Sequence, residues 1–380
     1  MRRRNRFTFW QITLFCFLAC AIPLILRSAQ AQTGQRAEEK FPSVPEGYTI
    51  IEGDIQMPIE VVNAMRSEAR LKPNTPQATF NTQLWPNGVV PFEFDSNCAM
   101  GSTTCVSIDN QTSMLNAMAT LETIANVDFQ QCANNVCSGA YVHIQASNAN
   151  NSPVGRQGGR QIINITSWGS PFIIAHELLH TLGFLHEQTR PDRNTYVDVT
   201  AFCNNVQGGC MGSTYLNNFP ISNGATTYGY YDFDSVMHYG QCSFSRNDGT
   251  VRDSDGALVP ACPADSSVFP DGGITIQVRE PYRTQWQNAI GQRTHLSNLD
   301  QATLAIMYPR SNWRFVDQTY NGGNGPSDGS FQRPFREFIT GFTNTPAGGA
   351  LWIQPGAYAA TGAYNKQVTI RAPLGGVILQ

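Results

Sequence analysis

The chain has 380 residues, of which 41% are hydrophobic, so it is long enough to bury at least one large core and to form two or three segments. A formal net charge of −3 gives no overall preference for nucleic acid or for an anionic membrane surface, and we expect no nucleic-acid partner. Only 14% of the residues are charged, which together with plentiful Gly, Asn, Ser and Thr is typical of a loop-rich extracellular protein.

The first 31 residues have the pattern of a secretory signal peptide. They combine a basic start with a long apolar stretch and end on small residues at Ala29-Gln30-Ala31. We expect cleavage after Ala31, a secreted or periplasmic product, and no stable membrane insertion once the signal is removed. Because the apolar stretch is long, an uncleaved membrane anchor is the alternative.

A polar leader, residues 32–77, follows the predicted signal peptide and is interpreted as a propeptide or as a flexible leader. It carries a short helical pattern over Met57–Leu71. From about Ala78 the spacing of apolar residues becomes typical of a folded core. It predicts strands over Gly88–Phe94, Ala140–Gln145 and Gln161–Thr166, and helices over Ser113–Val127, Ser170–Leu182 and Leu296–Tyr308, the last capped by Ser297.

Eight cysteines follow the predicted signal peptide. An even number of cysteines in an exported chain indicates disulfides, and these fall into four couples that are close in sequence. The spacing predicts the bridges Cys98–Cys105, Cys132–Cys137, Cys203–Cys210 and Cys242–Cys262. A second zinc site is the alternative use of these residues, although no couple has the tight C-x-x-C spacing.

Three of the six histidines lie within eleven residues, at His176, His180 and His186. The first two are four residues apart, so a helix places both imidazoles on one face, with Glu177 between them and able to point at a metal-bound water. Six further helical residues would turn His186 about 240° away from that face. The helix must therefore break, and Gly183 is the residue at which it can turn.

This spacing predicts two ligands on a helix, a turn, and a third ligand that returns to the same ion. Three nitrogen ligands with an open position suit one catalytic Zn²⁺. The alternative is that the two helical histidines are ordinary core or surface residues, because H-E-x-x-H alone also occurs by accident. The full H-E-x-x-H-x-x-G-x-x-H is far more restrictive and favours metal binding.

Residues 311–380 differ from the rest of the chain because they are turn-rich and contain short alternating segments, ALWIQPGAY, QVTIRAP and GGVILQ. These segments resemble the opening coil of a right-handed parallel β-helix, as in pectate-lyase-like proteins. We therefore expect a small β-rich C-terminal appendage.

The stretch His176–Arg193, HELLHTLGFLHEQTRPDR, resembles the zinc signature of the astacin metallopeptidases, a family within the metzincins. Downstream, FDSVMHYG, Phe233–Gly240, is similar to the Met-turn of that family. Further similarity lies in Leu84–Phe94, Pro153–Arg156 and Leu296–Pro309, so the resemblance covers about residues 84–310. It implies an α+β, metzincin-type zinc peptidase of two subdomains with an active-site cleft, and a catalytic domain over residues 78–310.

The resemblance also implies the roles of the site residues. His176, His180 and His186 would ligate zinc, and Glu177 would be the general base. Tyr239 would be an extra ligand that swings away to stabilise the tetrahedral intermediate. Without the resemblance, Tyr239 would be interpreted as an ordinary core residue.

Three further residues receive roles from the same resemblance. Met237 would form a hydrophobic floor under the metal, and Glu187 would meet the mature N-terminus through buried polar contacts. In the leader, IEGDI is similar to the F-x-G-D switch of astacin precursors, in which an aspartate occupies the metal position that water needs. Asp54 would be that aspartate, although Glu-Gly-Asp is also a common turn.

The chain departs from the family at four cysteine positions, where Asn126, Asn150, Trp168 and Arg310 stand instead. The departure puts the disulfide framework of the family in doubt, but it leaves the zinc site intact.

Two functions from different classes fit these observations. The first is a secreted zinc endopeptidase, made as a latent precursor, that acts on protein or peptide substrates. The alternative is a secreted carbohydrate- or surface-binding protein that acts through residues 311–380, with an inert protease domain. Glu177 favours the enzyme, because loss of catalysis commonly removes that residue first.

Overall fold

The computed structural model of the chain describes residues 45–51, 53–60, 83–199, 218–222, 227–244 and 274–380. The predicted signal peptide and the predicted bridge Cys203–Cys210 lie outside the described residues. The described part mixes helices and strands, which confirms the predicted α+β class. Among the described residues, no helix is both long and apolar enough to cross a bilayer.

A four-stranded parallel sheet consists of β3 (Val89–Phe94), β4 (Asp128–Gln131), β5 (Tyr141–Ala146) and β7 (Arg160–Ile165), in the order β4-β3-β5-β7. Residues in β3 alternate between buried and half-buried positions, as expected for a strand with one face on the core. The three predicted strands are confirmed to within one residue, as β3, β5 and β7.

Two long helices pack against this sheet in one apolar core. Helix α1 (Ile108–Ile124) begins at Ser107, whose hydroxyl accepts a hydrogen bond from the Asn110 N–H. It starts five residues before the predicted Ser113. The prediction missed the first turn because that turn is mostly polar and carries no apolar periodicity. Helix α2 (Pro171–Thr181) matches its predicted span, with Ser170 and Leu182 as the two caps.

The chain after helix α2 forms an antiparallel pair of strands and two further helices. The strands β8 (Val197–Val199) and β9 (Ile276–Val278) pair with each other, and α3 (Arg283–Trp286) is a single turn. Helix α4 (Asn298–Met307) follows, and Ser297 caps it as predicted, with its side chain accepting from the Asp300 N–H.

The leader forms a hairpin against the wall that carries the predicted zinc site. Strands β1 (Tyr48–Ile51) and β2 (Ile55–Pro58) are antiparallel, and β2 also pairs in parallel with β6 (Ser152–Pro153). The prediction that a helix begins at Met57 is wrong, because antiparallel pairing with β1 holds Met57 and Pro58 in the strand. Residues 59 and 60 are helical, and the rest of the predicted helix lies outside the described residues.

The C-terminal segment is built from short parallel strands, as its alternating pattern predicts. Whether it belongs with pectate-lyase-like proteins stays a prediction. Its elements are β10 (Trp313–Val316), helix α5 (Phe338–Asn344), β11 (Ala350–Ile353), β12 (Gly356–Tyr358), β13 (Thr369–Arg371) and β14 (Val377–Leu379). One apolar cluster joins this segment to helix α4. The cluster contains Leu299, Ala302 and Ile306 of α4 and Trp313, Phe315 and Trp352 of the coil.

Two of the predicted disulfides are confirmed. Cys98–Cys105 and Cys132–Cys137 are bonded, with Cα atoms 4.9 and 5.3 Å apart. Cys242 is also disulfide-bonded, but its predicted partner Cys262 lies outside the described residues.

Hydrogen bonds hold two of the four positions at which the resemblance implies cysteines. The guanidinium of Arg310 donates to the carbonyl oxygens of Glu122, Thr123 and Ala125 at the end of α1, at 2.8, 3.1 and 3.4 Å. The Asn150 Oδ1 atom accepts from the backbone N–H groups of residues 166 and 167, at 2.9 and 3.0 Å. Hydrogen bonds therefore connect the chain at both positions, Arg310 and Asn150.

Candidate metal centre and active site

The end of helix α2 brings the third histidine back toward the first two. Gly183 has φ 112°, a left-handed conformation that favours glycine. Its N–H donates to the carbonyl of His180 at 2.8 Å, and the Phe184 N–H donates to that of Leu179 at 2.9 Å. This pair of bonds is a Schellman motif, and it confirms the predicted turn before His186.

The three imidazoles converge on one point. The Nε2 atom of His176 lies 3.1 Å from that of His180 and 3.4 Å from that of His186. All three side chains are buried. Nitrogens bound to one tetrahedral zinc ion at about 2.0–2.1 Å would lie about 3.3 Å from each other. The spacing of the three atoms therefore fits one Zn²⁺, as predicted.

Backbone carbonyls orient two of these rings. The Nδ1 atom of His176 lies 2.9 Å from the Val236 carbonyl oxygen, and the Nδ1 atom of His180 lies 2.8 Å from that of Phe184. A carbonyl oxygen only accepts, so each Nδ1 carries the proton and leaves a bare lone pair on Nε2. Burial lowers the pKa of His176 to about 4 and that of His180 well below its ordinary value. Both rings are therefore neutral at pH 7, the state that binds a metal.

Asp54 of the leader completes the cluster. Its Oδ2 atom lies 3.3 Å from His176 Nε2, and its Oδ1 atom lies 3.3 Å from His186 Nε2 and 4.0 Å from His180 Nε2. Burial opposes ionisation of this carboxyl, but the three histidines outweigh it and hold the pKa of Asp54 well below its usual range. The ligand atoms of these four residues all lie within 4.8 Å of one another.

Gly53 lets the leader approach the cleft this closely. It has φ 79°, and a Cβ atom there would clash with the ring of Phe244. That ring packs against Tyr239, with 5.5 Å between the centroids. A side chain at position 53 would therefore push the aspartate away from the histidines.

Glu177 lies in the same turn of α2 and is 1% exposed. Its Oε2 atom has no hydrogen-bond partner within the described part of the chain. Burial raises the pKa of Glu177 well above its ordinary value, and the nearby Asp54 raises it further. A buried carboxylate oxygen without a partner is costly, so it indicates a functional rather than a structural role.

The Met-turn is held by one aspartate that sequence reasoning missed. Asp300 accepts a hydrogen bond from the Ser235 hydroxyl at 2.6 Å and from the Val236 N–H at 2.9 Å. The same carboxylate accepts from the Ser297 N–H and closes a capping box on α4. Met237, predicted to form the floor, is 1% exposed in the main core. The S-x-x-D pattern was the signal that could have found Asp300.

Tyr239 lies beside the metal centre. Its ring centroid is 4.3 Å from that of His186, and its hydroxyl donates to Asp54 Oδ1 at 3.4 Å. The neighbouring His238 is buried, with Nε2 2.8 Å from the Tyr231 hydroxyl and Nδ1 2.7 Å from the Tyr239 carbonyl oxygen. These contacts give His238 a structural role.

Glu187 lines a cavity of about 40 Å³ together with Asp232 and Asp300. Its Oε1 atom accepts from Arg190 Nη1 at 3.1 Å and from the Asp232 N–H at 2.8 Å. Burial raises the pKa of Glu187 to about 8, although Arg190 opposes the shift. Burial, followed by the charge of Asp300, raises the pKa of Asp232 to about 7. The contact of Glu187 with a mature N-terminus stays a prediction.

Comparison with known proteins gives a consistent picture. Residues 77–257 match the family model described as Astacin, a peptidase family. Zinc metalloproteinase nas-14 of Caenorhabditis elegans is 33% identical over 171 residues, which are 44% of this chain and 32% of that protein. Flavastacin of Elizabethkingia meningoseptica is 33% identical over 168 residues, 43% of this chain and 34% of that protein. The chain therefore spans about a third of the length of each of these relatives.

A solved structure also aligns with the chain. It is that of high choriolytic enzyme 1, a hatching enzyme zinc-protease from Oryzias latipes. The alignment covers 60% of this chain and 92% of that chain, with 24% identity and a TM-score of 0.43.

Proposed function

We propose, from the match of residues 77–257 to the Astacin family model, that the chain is a secreted zinc-dependent endopeptidase made as a latent precursor. Its substrates are proteins or peptides. The observation that carries the proposal is the convergence of three imidazoles, with the Nε2 atom of His176 3.1 and 3.4 Å from those of His180 and His186, beside a buried carboxylate in the same turn of helix. Export rests on the signal-peptide pattern of residues 1–31.

The chemistry divides between the metal and Glu177. His176, His180 and His186 would hold a zinc ion, which when bound would polarise the scissile carbonyl and lower the pKa of a neighbouring water. Glu177 takes the proton of the attacking water and delivers it to the leaving amine nitrogen. Its place between two ligands of one helix, and its Oε2 atom without a partner in the described structure, support this role.

Tyr239 and Met237 support the same reaction. The Tyr239 hydroxyl, which contacts Asp54 here, serves as an extra metal ligand at rest. During the reaction it moves away and donates a hydrogen bond to the oxyanion that forms on the substrate carbonyl. Met237 is the apolar floor that keeps the histidine rings in place.

Asp54 causes the latency, because its carboxylate lies at the corner of the histidine cluster that a reacting water would use. A tethered carboxylate has a high effective concentration at the metal, and a catalytic site needs that position open. Cleavage between Arg70 and Ala78, in a stretch outside the described residues, lets the leader depart. The new N-terminus then moves toward Glu187, where a cavity lined by carboxyl groups suits an ammonium ion.

The decisive test replaces Glu177 in the processed protein. Glu177→Gln is nearly isosteric but accepts no proton, so it keeps stoichiometric zinc and loses peptide hydrolysis by roughly 10³-fold. Turnover of a quenched peptide and zinc content by atomic absorption are measured on the same sample. Glu337→Gln, an equal change on an exposed residue before α5, serves as the matched control and stays fully active. Full activity in Glu177→Gln contradicts the mechanism.

The alternative function, binding through the C-terminal coil, has no specific observation in its favour within the described structure. It predicts that Glu177→Gln and metal removal both leave the biological activity unchanged.

A further inference from the structure

A polar side chain of the leader enters the wall of the cleft two residues from Asp54. Gln56 is 1% exposed, although it belongs to a segment that is expected to leave. Its Nε2 atom donates to the Ile162 carbonyl oxygen at 3.1 Å and to Asn151 Oδ1 at 2.5 Å. Asp54, in the turn of the hairpin, contacts the histidines, and Gln56 of β2 contacts Asn151 and Ile162, so both side chains face the wall.

The pocket continues into a chain of buried amides. Asn164 Nδ2 also donates to Asn151 Oδ1, at 2.8 Å, and Gln145 Nε2 donates to Asn164 Oδ1, at 2.8 Å. The Ile162 carbonyl oxygen only accepts, so it sets the orientation of the Gln56 amide and, through it, of every amide in the chain. Two acceptors therefore face the incoming side chain, and the pocket requires a donor with two N–H bonds.

The leader does not satisfy this pocket completely. Gln56 Oε1 and Asn151 Nδ2 are both buried and have no hydrogen-bond partner among the described residues. The unpaired N–H of Asn151 is therefore a further donor in the pocket. A ligand carrying both a donor and an acceptor, in a slightly different pose, would pair all of these atoms.

The pocket belongs to the wall and not to the leader. Asn151 precedes β6 and bridges to Asn164 of β7, so both remain when the hairpin departs. The opposite edge of β6 is occupied by the leader, and the Ser152 N–H donates to the Asp54 carbonyl oxygen at 2.8 Å. Departure of the leader therefore opens this edge and the pocket together, next to the histidines.

We infer that this pocket is a substrate subsite that selects a carboxamide side chain, Gln before Asn, in the peptide that passes the metal centre. The inference rests on the proposed peptidase function. A carboxylate would face two acceptors and could pair with a single donor, the Asn151 N–H, whereas an ammonium would be buried among neutral amides and carbonyls. An apolar side chain would leave the Ile162 carbonyl and Asn151 Oδ1 without the donor that they receive from Gln56.

The first experiment profiles the processed, zinc-loaded protein with quenched peptides. Gln, Met, Glu and Lys are placed in turn at each of three positions on either side of the scissile bond. At one position, Gln raises kcat/KM about tenfold or more over Met, which has a similar shape but no donor. A profile without a Gln preference at any position overturns the inference.

A pair of variants then assigns the preference to the pocket. Asn151→Asp keeps the acceptor for Asn164 but makes the pocket anionic, so the ratio of kcat/KM for the Gln peptide to that for the Lys peptide falls about tenfold. Asn150→Asp adds the same charge one residue away, where Oδ1 still accepts from residues 166 and 167, and it leaves the ratio unchanged. An equal fall in both variants, or no fall in Asn151→Asp, contradicts the assignment.

A binding measurement separates the subsite from the peptidase activity and needs no variant of the protein. A synthetic peptide of residues 48–58 is titrated into the processed protein by calorimetry, beside the same peptide with Gln56→Met. The change weakens binding about tenfold. Equal affinities overturn the pocket even if hydrolysis is normal, whereas weakened binding without any hydrolysis supports the pocket and contradicts the proposed function.

Discussion

The leader hairpin (residues 48–58) and the C-terminal coil (residues 313–379) both lie against the catalytic fold, but they are held by opposite chemistry. The hairpin contributes three residues to a small apolar cluster, Ile51, Ile55 and Met57, and its other contacts are polar, through Asp54 and Gln56. The coil is held by large aromatic side chains, Trp313, Phe315 and Trp352, packed on helix α4.

This difference suggests how the attachment of the hairpin can be released while the attachment of the coil is permanent. A polar contact depends on its partner, and a metal ion or a substrate can claim the partners of Asp54 and Gln56 once the leader is cut. Buried aromatic surface needs no specific partner and stabilises by about 25 cal/mol per Å² removed from water. The hairpin therefore suits a segment that leaves, and the coil suits one that stays.

The largest expected effect comes from breaking the polar attachment. Asp54→Ala removes the carboxylate from the histidine cluster, so turnover by the uncut precursor rises roughly 10²-fold or more, or the precursor processes itself early. The measurement is quenched-peptide turnover by precursor whose leader is verified intact by mass spectrometry.

Glu46→Ala is the matched control for that change, because Glu46 is an exposed carboxylate of the leader, and this variant stays latent. A wild-type precursor as active as the processed form would show that the aspartate does not cause latency. A silent Asp54→Ala precursor would leave the leader as a folding aid or a steric cover.

The permanent attachment is tested at its centre. Trp352→Ala opens a cavity between the coil and α4 and lowers the free energy of unfolding by about 3–5 kcal/mol. Trp352→Phe is the control, because the indole Nε1 has no hydrogen-bond partner in the described structure and its loss costs little. Urea unfolding of leader-intact protein in a Glu177→Gln background, which prevents self-cleavage, measures both. Equal destabilisation by the two variants would contradict the packing argument.

A smaller effect is expected at Arg310, which ties the start of the coil to helix α1. Arg310→Ala removes three hydrogen bonds to helix-end carbonyls and the stacking of the guanidinium on Trp313, and costs about 1–3 kcal/mol. Arg310→Lys keeps the charge but loses the planar fork, so its stability falls between that of the wild-type protein and that of Arg310→Ala. Thermal unfolding checks the order, and a lysine variant as unstable as the alanine variant would show that charge contributes nothing.

The smallest effect concerns the cap of helix α4, on which the coil rests. Ser297→Ala removes a capping box and a hydrogen bond to Asp232 Oδ2, and costs about 1–2 kcal/mol. Ser107→Ala, at the exposed cap of α1, costs about 0.5–1 kcal/mol. Denaturant midpoints of the two variants measure the difference, and a larger loss at Ser107 would reverse the interpretation.

Sequence patterns predicted the structure correctly where the bounds of an element depend on that element alone. Helix α2 was predicted to within a residue at each end, because Pro171 begins it and Gly183 ends it. Prediction failed at Met57, where a helical pattern lies in a strand, because pairing with β1 outweighed local propensity. It also missed the first turn of α1, whose residues are polar.

The sequence by itself determined the placement of the three histidines and Glu177, because their spacing around one glycine is a local property of a helix and its end. The tertiary structure decided what faces them. Asp54 reaches His176 from 122 residues away, and Asp300 holds the Met-turn from 65 residues away. Gln56 enters its pocket beside Asn151 from 95 residues away. Periodicity describes single elements, whereas these contacts exist only after distant segments have packed together and excluded water.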